Sequence, residues 1–126
     1  MLRIGLEYEL EIIVTPKDTA KAFGSGLVEV FATPAMIALM EKTSLELVAP
    51  FLEPGKNTVG TEVHVKHHKA TPLGQRVQSW AQLTEMDGNK LTFSVEAYDE
   101  NGLIGSGFHK RYIIDEAQFM AKLENQ

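Results

Sequence analysis

The stretch Val30-Phe31-Ala32-Thr33-Pro34-Ala35-Met36-Ile37-Ala38-Leu39-Met40-Glu41-Lys42-Thr43-Ser44-Leu45-Glu46-Leu47-Val48-Ala49-Pro50 decides the fold. Thr33 can cap a helix by offering its hydroxyl to orphan backbone N–H groups, Pro34 suits the first helical position, and by Pro50 the helix must have ended. These limits predict one helix over 34–48. Met36, Ile37, Leu39, Met40, Leu45, Leu47 and Val48 spread over more than one face, so the helix is expected to be wrapped on most sides. Glu41 sits in its middle, one turn from Ile37, Ala38, Ser44 and Leu45, and a carboxylate in that setting requires an explanation.

The flanks read as sheet. Leu6-Glu7-Tyr8-Glu9-Leu10-Glu11-Ile12 alternates apolar and acidic residues, the period of a half-buried strand, and Thr15-Pro16 stops it. Residues 17–29 carry Gly24-Ser25-Gly26 and little periodicity, which predicts a flexible connection in which Phe23 and Leu27 can fold over whatever lies beneath. After the turn at Leu52-Glu53-Pro54-Gly55, strands are expected over about 57–70, 75–85, 90–98 and 103–114, joined by Thr71-Pro72-Leu73-Gly74, Asp87-Gly88-Asn89 and Asp99-Glu100-Asn101-Gly102. Read as hairpins, these joints make the sheet antiparallel. Asp115 can cap a short last helix with Gln118 three positions on. One strand, one apolar helix and then four strands is an α+β order in which a sheet curls around the helix to cover it. Glycines at 105 and 107 suit close approach of another backbone, or a bulge.

Bulk properties narrow the function classes. The 126 residues suit a single domain, with 44% hydrophobic and 23% charged residues. With no cysteine, there is no disulfide scaffold, thiolate metal site or Cys nucleophile. The net charge of -5 argues against nonspecific nucleic-acid binding. No apolar run approaches the roughly 20 residues that span a bilayer, and the N-terminus lacks the apolar core of a signal peptide; a cytoplasmic protein without membrane contact is the default expectation.

Three histidines crowd Val63-His64-Val65-Lys66-His67-His68-Lys69. Strand parity turns Val63, Val65 and His67 toward the helix, and Glu62, His64, Lys66 and His68 toward a charged, solvated face. On one strand His64 and His68 lie about 13 Å apart, too far to share an ion, so no metal is expected. Glu41 and His67 are then two titratable groups aimed into one apolar space, where they can serve as acid and base or form a satisfied buried pair.

Taken together, Val30-Phe31-Ala32-Thr33, Leu39-Met40-Glu41, Ala49-Pro50-Phe51-Leu52-Glu53-Pro54-Gly55, Gly60-Thr61, His67 with Ala70-Thr71-Pro72-Leu73-Gly74, and Ile104-Gly105-Ser106-Gly107 with His109 and Arg111 resemble the fluoroacetyl-CoA thioesterase-like family from Leu6 to Phe119. The resemblance implies the hotdog fold, a curled antiparallel sheet around one long helix with a short C-terminal helix, and a homodimer, or a higher assembly of dimers, with clefts at the subunit interface. It also implies hydrolysis of an acyl-CoA thioester without a cofactor, CoA being part of the substrate. Carried over by position, Thr33, Glu41 and His67 form the catalytic set, and Gly60 and Arg111 are substrate-binding positions. Phe23, also taken as a substrate-binding position, is the one aromatic left in a lid segment shorter than in the fluoroacetyl-specific members, which argues for another small acyl group.

The alternative is a noncatalytic acyl-CoA or small-ligand binding protein on the same fold. CoA phosphates would favour Lys66, His68, Lys69 and Arg76, or Lys110 and Arg111. Geometry sets one condition on the catalytic set. Thr33 and Glu41 stand about 12 Å apart along a straight helix, so a backbone bend, the substrate or a partner subunit must bring them together.

Overall fold

The computed structural model describes all 126 residues. In chain order they form strand β1 (Glu7–Ile13), a one-turn helix α1 (Ala20–Phe23), the long helix α2 (Thr33–Val48), strands β2 (Lys56–His67), β3 (Arg76–Asp87), β4 (Lys90–Asp99) and β5 (Gly102–Asp115), and helix α3 (Glu116–Glu124). The strands make one antiparallel sheet in the order β1-β3-β4-β5-β2. The sheet curls round α2, as the sequence pattern predicts, and no helix is long and apolar enough to cross a membrane.

The core is the meeting of α2 with the concave face of the sheet. Met36, Leu39, Met40, Leu47 and Val48 pack with Phe31, Val77, Ala81, Leu83, Leu91, Phe93 and Val95. Complete burial of such side chains contributes about 1.5–3 kcal/mol each, which makes this contact the main stabilising term. Two polar residues of α2 enter the same interface without cost because both are bonded. Thr43 Oγ1 donates to the Leu39 carbonyl and reaches Ser79 on β3, while Ser44 donates to the Met40 carbonyl. One stripe of the helix stays outside the core. Ile37, Glu41 and Leu45 are only half-buried and Ala38 is exposed, so α2 is less completely wrapped than its composition predicts.

The joint at Thr71-Pro72-Leu73-Gly74 departs from expectation. It is not a hairpin: β3 lies between β1 and β4, and β2 sits on the opposite edge against β5. Gly74 does make the expected turn, with φ of 91°, but turn chemistry fixes only the local reversal of the chain. The segment instead crosses the start of α2, where the Phe31 N–H donates to the Thr71 carbonyl and Val30 bridges Pro72. As a result β2 is a 12-residue edge strand with one side unpaired.

A bulge in β2 governs which side chains face inward. Val63 pairs His109 and Glu62 pairs Lys110, but Gly60 pairs Arg111, so Thr61 is an extra residue. The alternation reverses there. Thr58 is buried and Gly60 faces α2, yet beyond the bulge it is Val63, Val65 and His67 that turn inward. The glycines of β5 answer the close-approach expectation. A Cβ on Gly107 would overlap the His64 carbonyl, and one on Gly105 would overlap the Met36 side chain. Asp115 accepts from the Gln118 N–H at 3.0 Å and caps α3.

Candidate active site

Thr33 is the first residue of α2, and Ala32 holds the cap position without a side-chain bond. The hydroxyl is therefore not spent on the helix end, contrary to the capping expectation. It lies 2.7 Å from Nδ1 of His67 at the end of β2. Pro34 in the first turn carries no N–H, so the start of α2 has one fewer unpaired donor. His67 is half-buried, its Nε2 is buried without a hydrogen-bond partner, and burial holds its pKa below the usual histidine range. The imidazole is thus a neutral base at pH 7.

Both residues open onto a cleft of about 290 Å³, lined also by Ala20, Ser25, Val30, Phe31, His68, Lys69 and Ala70. One wall comes from α1, whose Thr19 cap accepts from the Ala22 N–H and whose end is set by Gly24 at φ of 73°. That left-handed cap turns Ser25 toward the cleft. Phe23, expected to help bind substrate, is 49% exposed and does not line this cleft, because it lies on the last residue of α1 before the chain turns back. His68 belongs to the cleft wall, not simply to a solvated face, and its Nε2 is 2.8 Å from Ser106 Oγ. Lys69 is engaged with Asp99 at 3.5 Å. His64 faces outward as parity predicts, 2.9 Å from Glu62 and stacked on Phe108.

Glu41 is elsewhere in the chain. Two turns along α2 from Thr33, it stands over Gly60: a Cβ at Gly60 would be 3.2 Å from Glu41 Oε2, 3.2 Å from His109 Cε1 and 3.4 Å from Arg111 Nη1. It makes no ion pair and no hydrogen bond to His67, and it does not line the Thr33–His67 cleft. Sequence parity aimed Glu41 and His67 at one space. A single chain instead keeps them in two separate groups of side chains, one about Gly60 and one about His67 on β2.

The group about Gly60 is built around a buried cation. Arg111, 8% exposed, donates from Nε to Thr58 Oγ1 at 2.8 Å and from Nη2 to the Thr58 carbonyl at 3.0 Å, and its Nη1 lies 3.1 Å from His109 Nε2. Of the five N–H bonds of a guanidinium, two remain uncommitted beside Glu41. Burial lowers the Arg111 pKa and Glu41 opposes this, so the cation persists. His109 completes the group, and sequence reading gave it no role. The signal was present, since residues two apart on a strand share a face, and this puts His109 beside Arg111.

The comparisons bear on this geometry. A family model described as fluoroacetyl-CoA-specific thioesterase matches residues 14–117. The fluoroacetyl-CoA thioesterase of Streptantibioticus cattleyicolor is 35% identical over 99% of this chain and 94% of its own length. A solved structure of fluoroacetyl-CoA thioesterase superposes with a TM-score of 0.94 at 35% identity, covering 100% of this chain and 98% of that one. A thioesterase superfamily member from Thermus thermophilus gives 0.91 at 33% identity, covering 99% and 93%. A hot-dog-like protein from Thermanaerovibrio acidaminovorans, 21% identical, shares the fold with a TM-score of 0.90 over 98% and 92% of the two chains. Sequence, sheet order and central helix agree: the chain belongs to the fluoroacetyl-CoA-specific thioesterase family of acyl-CoA thioesterases, with the hotdog fold.

Proposed function

We propose that this protein hydrolyses a small acyl-CoA thioester to the free acid and CoA in a cytoplasmic homodimer, each active site joining Glu41 of one protomer to Thr33 and His67 of the other. The observation that carries this reading is the separation of the half-sites along β2, an edge strand with a free side. Unpaired edges of this length are ready templates for a second copy. Antiparallel pairing of β2 with itself about a two-fold axis near His64 would lay the Gly60 end of one strand against the His67 end of the other. Both residues would then face the same cavity, because the bulge at Thr61 has reversed the alternation between them. The half-exposed stripe of Ile37, Ala38 and Leu45 would meet its copy in the same contact.

The chemistry follows from the donors available. With the Thr33 hydroxyl donating to Nδ1, neutral His67 carries its proton on Nε2, the buried nitrogen without a partner. That N–H can donate a hydrogen bond to the departing CoA thiolate, while the proton the thiolate finally takes is one released by the water consumed. Glu41 is the carboxylate at the acyl end. It attacks the thioester carbonyl to give an anhydride that water then opens, or it takes a proton from the attacking water. The oxygen of the carbonyl gains charge in either route, and the two free N–H bonds of Arg111 are positioned to stabilise it. No step calls for a metal or a cofactor.

Subunit complementation tests the arrangement. Glu41→Ala and His67→Ala dimers should each be inactive in thiol release over a panel of short acyl-CoAs. Mixed and allowed to exchange subunits, they should recover about a quarter of wild-type activity, since half the dimers then hold one intact site of two. An inactive mixture that contains heterodimers would overturn the shared site, and acyl-CoA binding without turnover in the wild type would favour a binding protein.

A further inference from the structure

Outside the catalytic set, His109 is a buried histidine with both ring nitrogens bonded. It is 1% exposed, on β5 between Gly107 and Arg111. Its Nδ1 is 2.9 Å from the Glu62 backbone carbonyl, which can only accept, so Nδ1 carries the hydrogen. Its Nε2 is 3.1 Å from Arg111 Nη1, which can only donate, so Nε2 is bare. The ring lies against Phe93 with centroids 6.2 Å apart. The Glu62 carbonyl is available because β2 bulges at this point: Thr61 is the extra residue, and its hydroxyl holds the Lys110 carbonyl opposite.

We propose that His109 is a positioning residue for thioester hydrolysis: with Nδ1 anchored on the β2 bulge, it presents Nε2 as the acceptor that fixes the Arg111 guanidinium beside Glu41. This rests on the reading of the Gly60 end as the acyl half-site. Thr58 alone holds Arg111 along one edge of its planar fork, through Nε and Nη2. The contact from Nη1 to His109 prevents rotation about that edge and selects which two N–H bonds stay free. An imidazolium could not serve, because its Nε2 hydrogen would be driven against the guanidinium. The groups that face the ring are consistent with neutrality. Burial lowers its pKa most and Arg111 on the same strand lowers it further, while the Glu62 carbonyl of β2 and Glu41 on α2 oppose them with a net lowering; β4 offers only Phe93.

Five variants and one spectrum test the assignment in the intact protein. His109→Phe removes both bonds and should cut kcat/KM about tenfold to a hundredfold, the loss of one buried charge-assisted hydrogen bond in the transition state. His109→Gln, whose amide oxygen reaches the Nε2 position, should restore most of the activity. His109→Asn can satisfy only the Glu62 carbonyl and should not. In an Arg111→Ala background, His109→Phe should cost less than about twofold further, since its effect passes through the arginine. In the wild type at pH 7, long-range proton–nitrogen NMR of the histidine rings should show His109 with its hydrogen on Nδ1. An Nε2–H ring, an active His109→Phe, Asn performing as well as Gln, or a full additive loss in the double variant would each overturn the role of His109 alone. A wild type that released no thiol from any acyl-CoA would overturn the thioesterase reading and this inference with it.

Discussion

Adding one methyl group at Gly60 gives a sharp test of the acyl half-site. The backbone there does not need glycine, because Gly60 is absent from the positive-φ positions, so Gly60→Ala strains nothing locally and can gain about 0.4–1 kcal/mol from the unfolded chain. The new Cβ would be 3.2 Å from Glu41 Oε2, 3.2 Å from His109 Cε1 and 3.4 Å from Arg111 Nη1, all closer than a comfortable contact. Something must yield by a few tenths of an ångström. His109 is pinned by the Glu62 carbonyl and Arg111 by Thr58, whereas Glu41 has no bond to hold it, so the carboxylate is displaced. A shift of about 1 Å in a reacting group can cost two orders of magnitude, so a smaller shift should lower kcat roughly tenfold. Overpacking would cost about 1–3 kcal/mol if the site were rigid, but a mobile carboxylate relieves most of it, and Tm should move by only a few degrees. The assays are thiol release at saturating acyl-CoA and thermal unfolding of the same preparation. A Gly60→Ala protein that keeps its stability and more than half its kcat would refute the placement of Glu41 at the reacting carbonyl.

Further outcomes follow from other contacts. Thr33→Val keeps the shape but removes the 2.7 Å contact to His67, and should lower kcat about tenfold or more while Thr33→Ser retains most of it; equal activities would show that the hydroxyl is idle. Because burial lowers the His67 pKa, the base stays unprotonated below the ordinary value of 6.5, and kcat/KM should fall only when pH drops through an inflection beneath that value; an inflection above it would contradict the buried imidazole. His67 and His109 are both lowered, so on acidification the unfolded chain binds protons first, and urea midpoints should be flat above pH 6.5 and decline below it. Gly107→Ala drives a methyl group into the β2 backbone, which cannot move aside, and should destabilise by ~3 kcal/mol or prevent folding; wild-type Tm in that variant would disprove the close strand approach.

The fold was legible because local signals agreed with one another. The Thr-Pro start and the Pro50 stop bounded α2, alternation marked the strands, and Asp115 with Gln118 marked α3. The crossover from β2 to β3 was not legible, since a Pro-Leu-Gly turn states that the chain reverses and says nothing of which edge receives it. In the site, period two put His67 inward correctly, and helix position placed Glu41 near the sheet. In the proposed dimer their meeting depends on a second copy of β2, which no single-chain periodicity encodes. The bulge was equally silent: Gly60-Thr61-Glu62 has no unusual composition, and only pairing with β5 shows Thr61 as surplus. Thr33 misled in a specific way, because a helix-start threonine reads as a cap whenever its true acceptor is distant in sequence.

The surplus residue in β2 separates two flanks that already agree. Taking Thr61 out would leave Gly60, Glu62 and Val63 opposite Arg111, Lys110 and His109 in an unbroken ladder, with Thr58, Gly60, Val63, Val65 and His67 all still turned inward. What would go is the local bend of the bulge and the hold of the Thr61 hydroxyl on the Lys110 carbonyl. Extra length that failed to bulge would do the opposite and exchange inner for outer side chains along one flank. Engineers reshaping the pocket can therefore shorten the strand at position 61 without exchanging its faces, but cannot lengthen it without supplying another bulge.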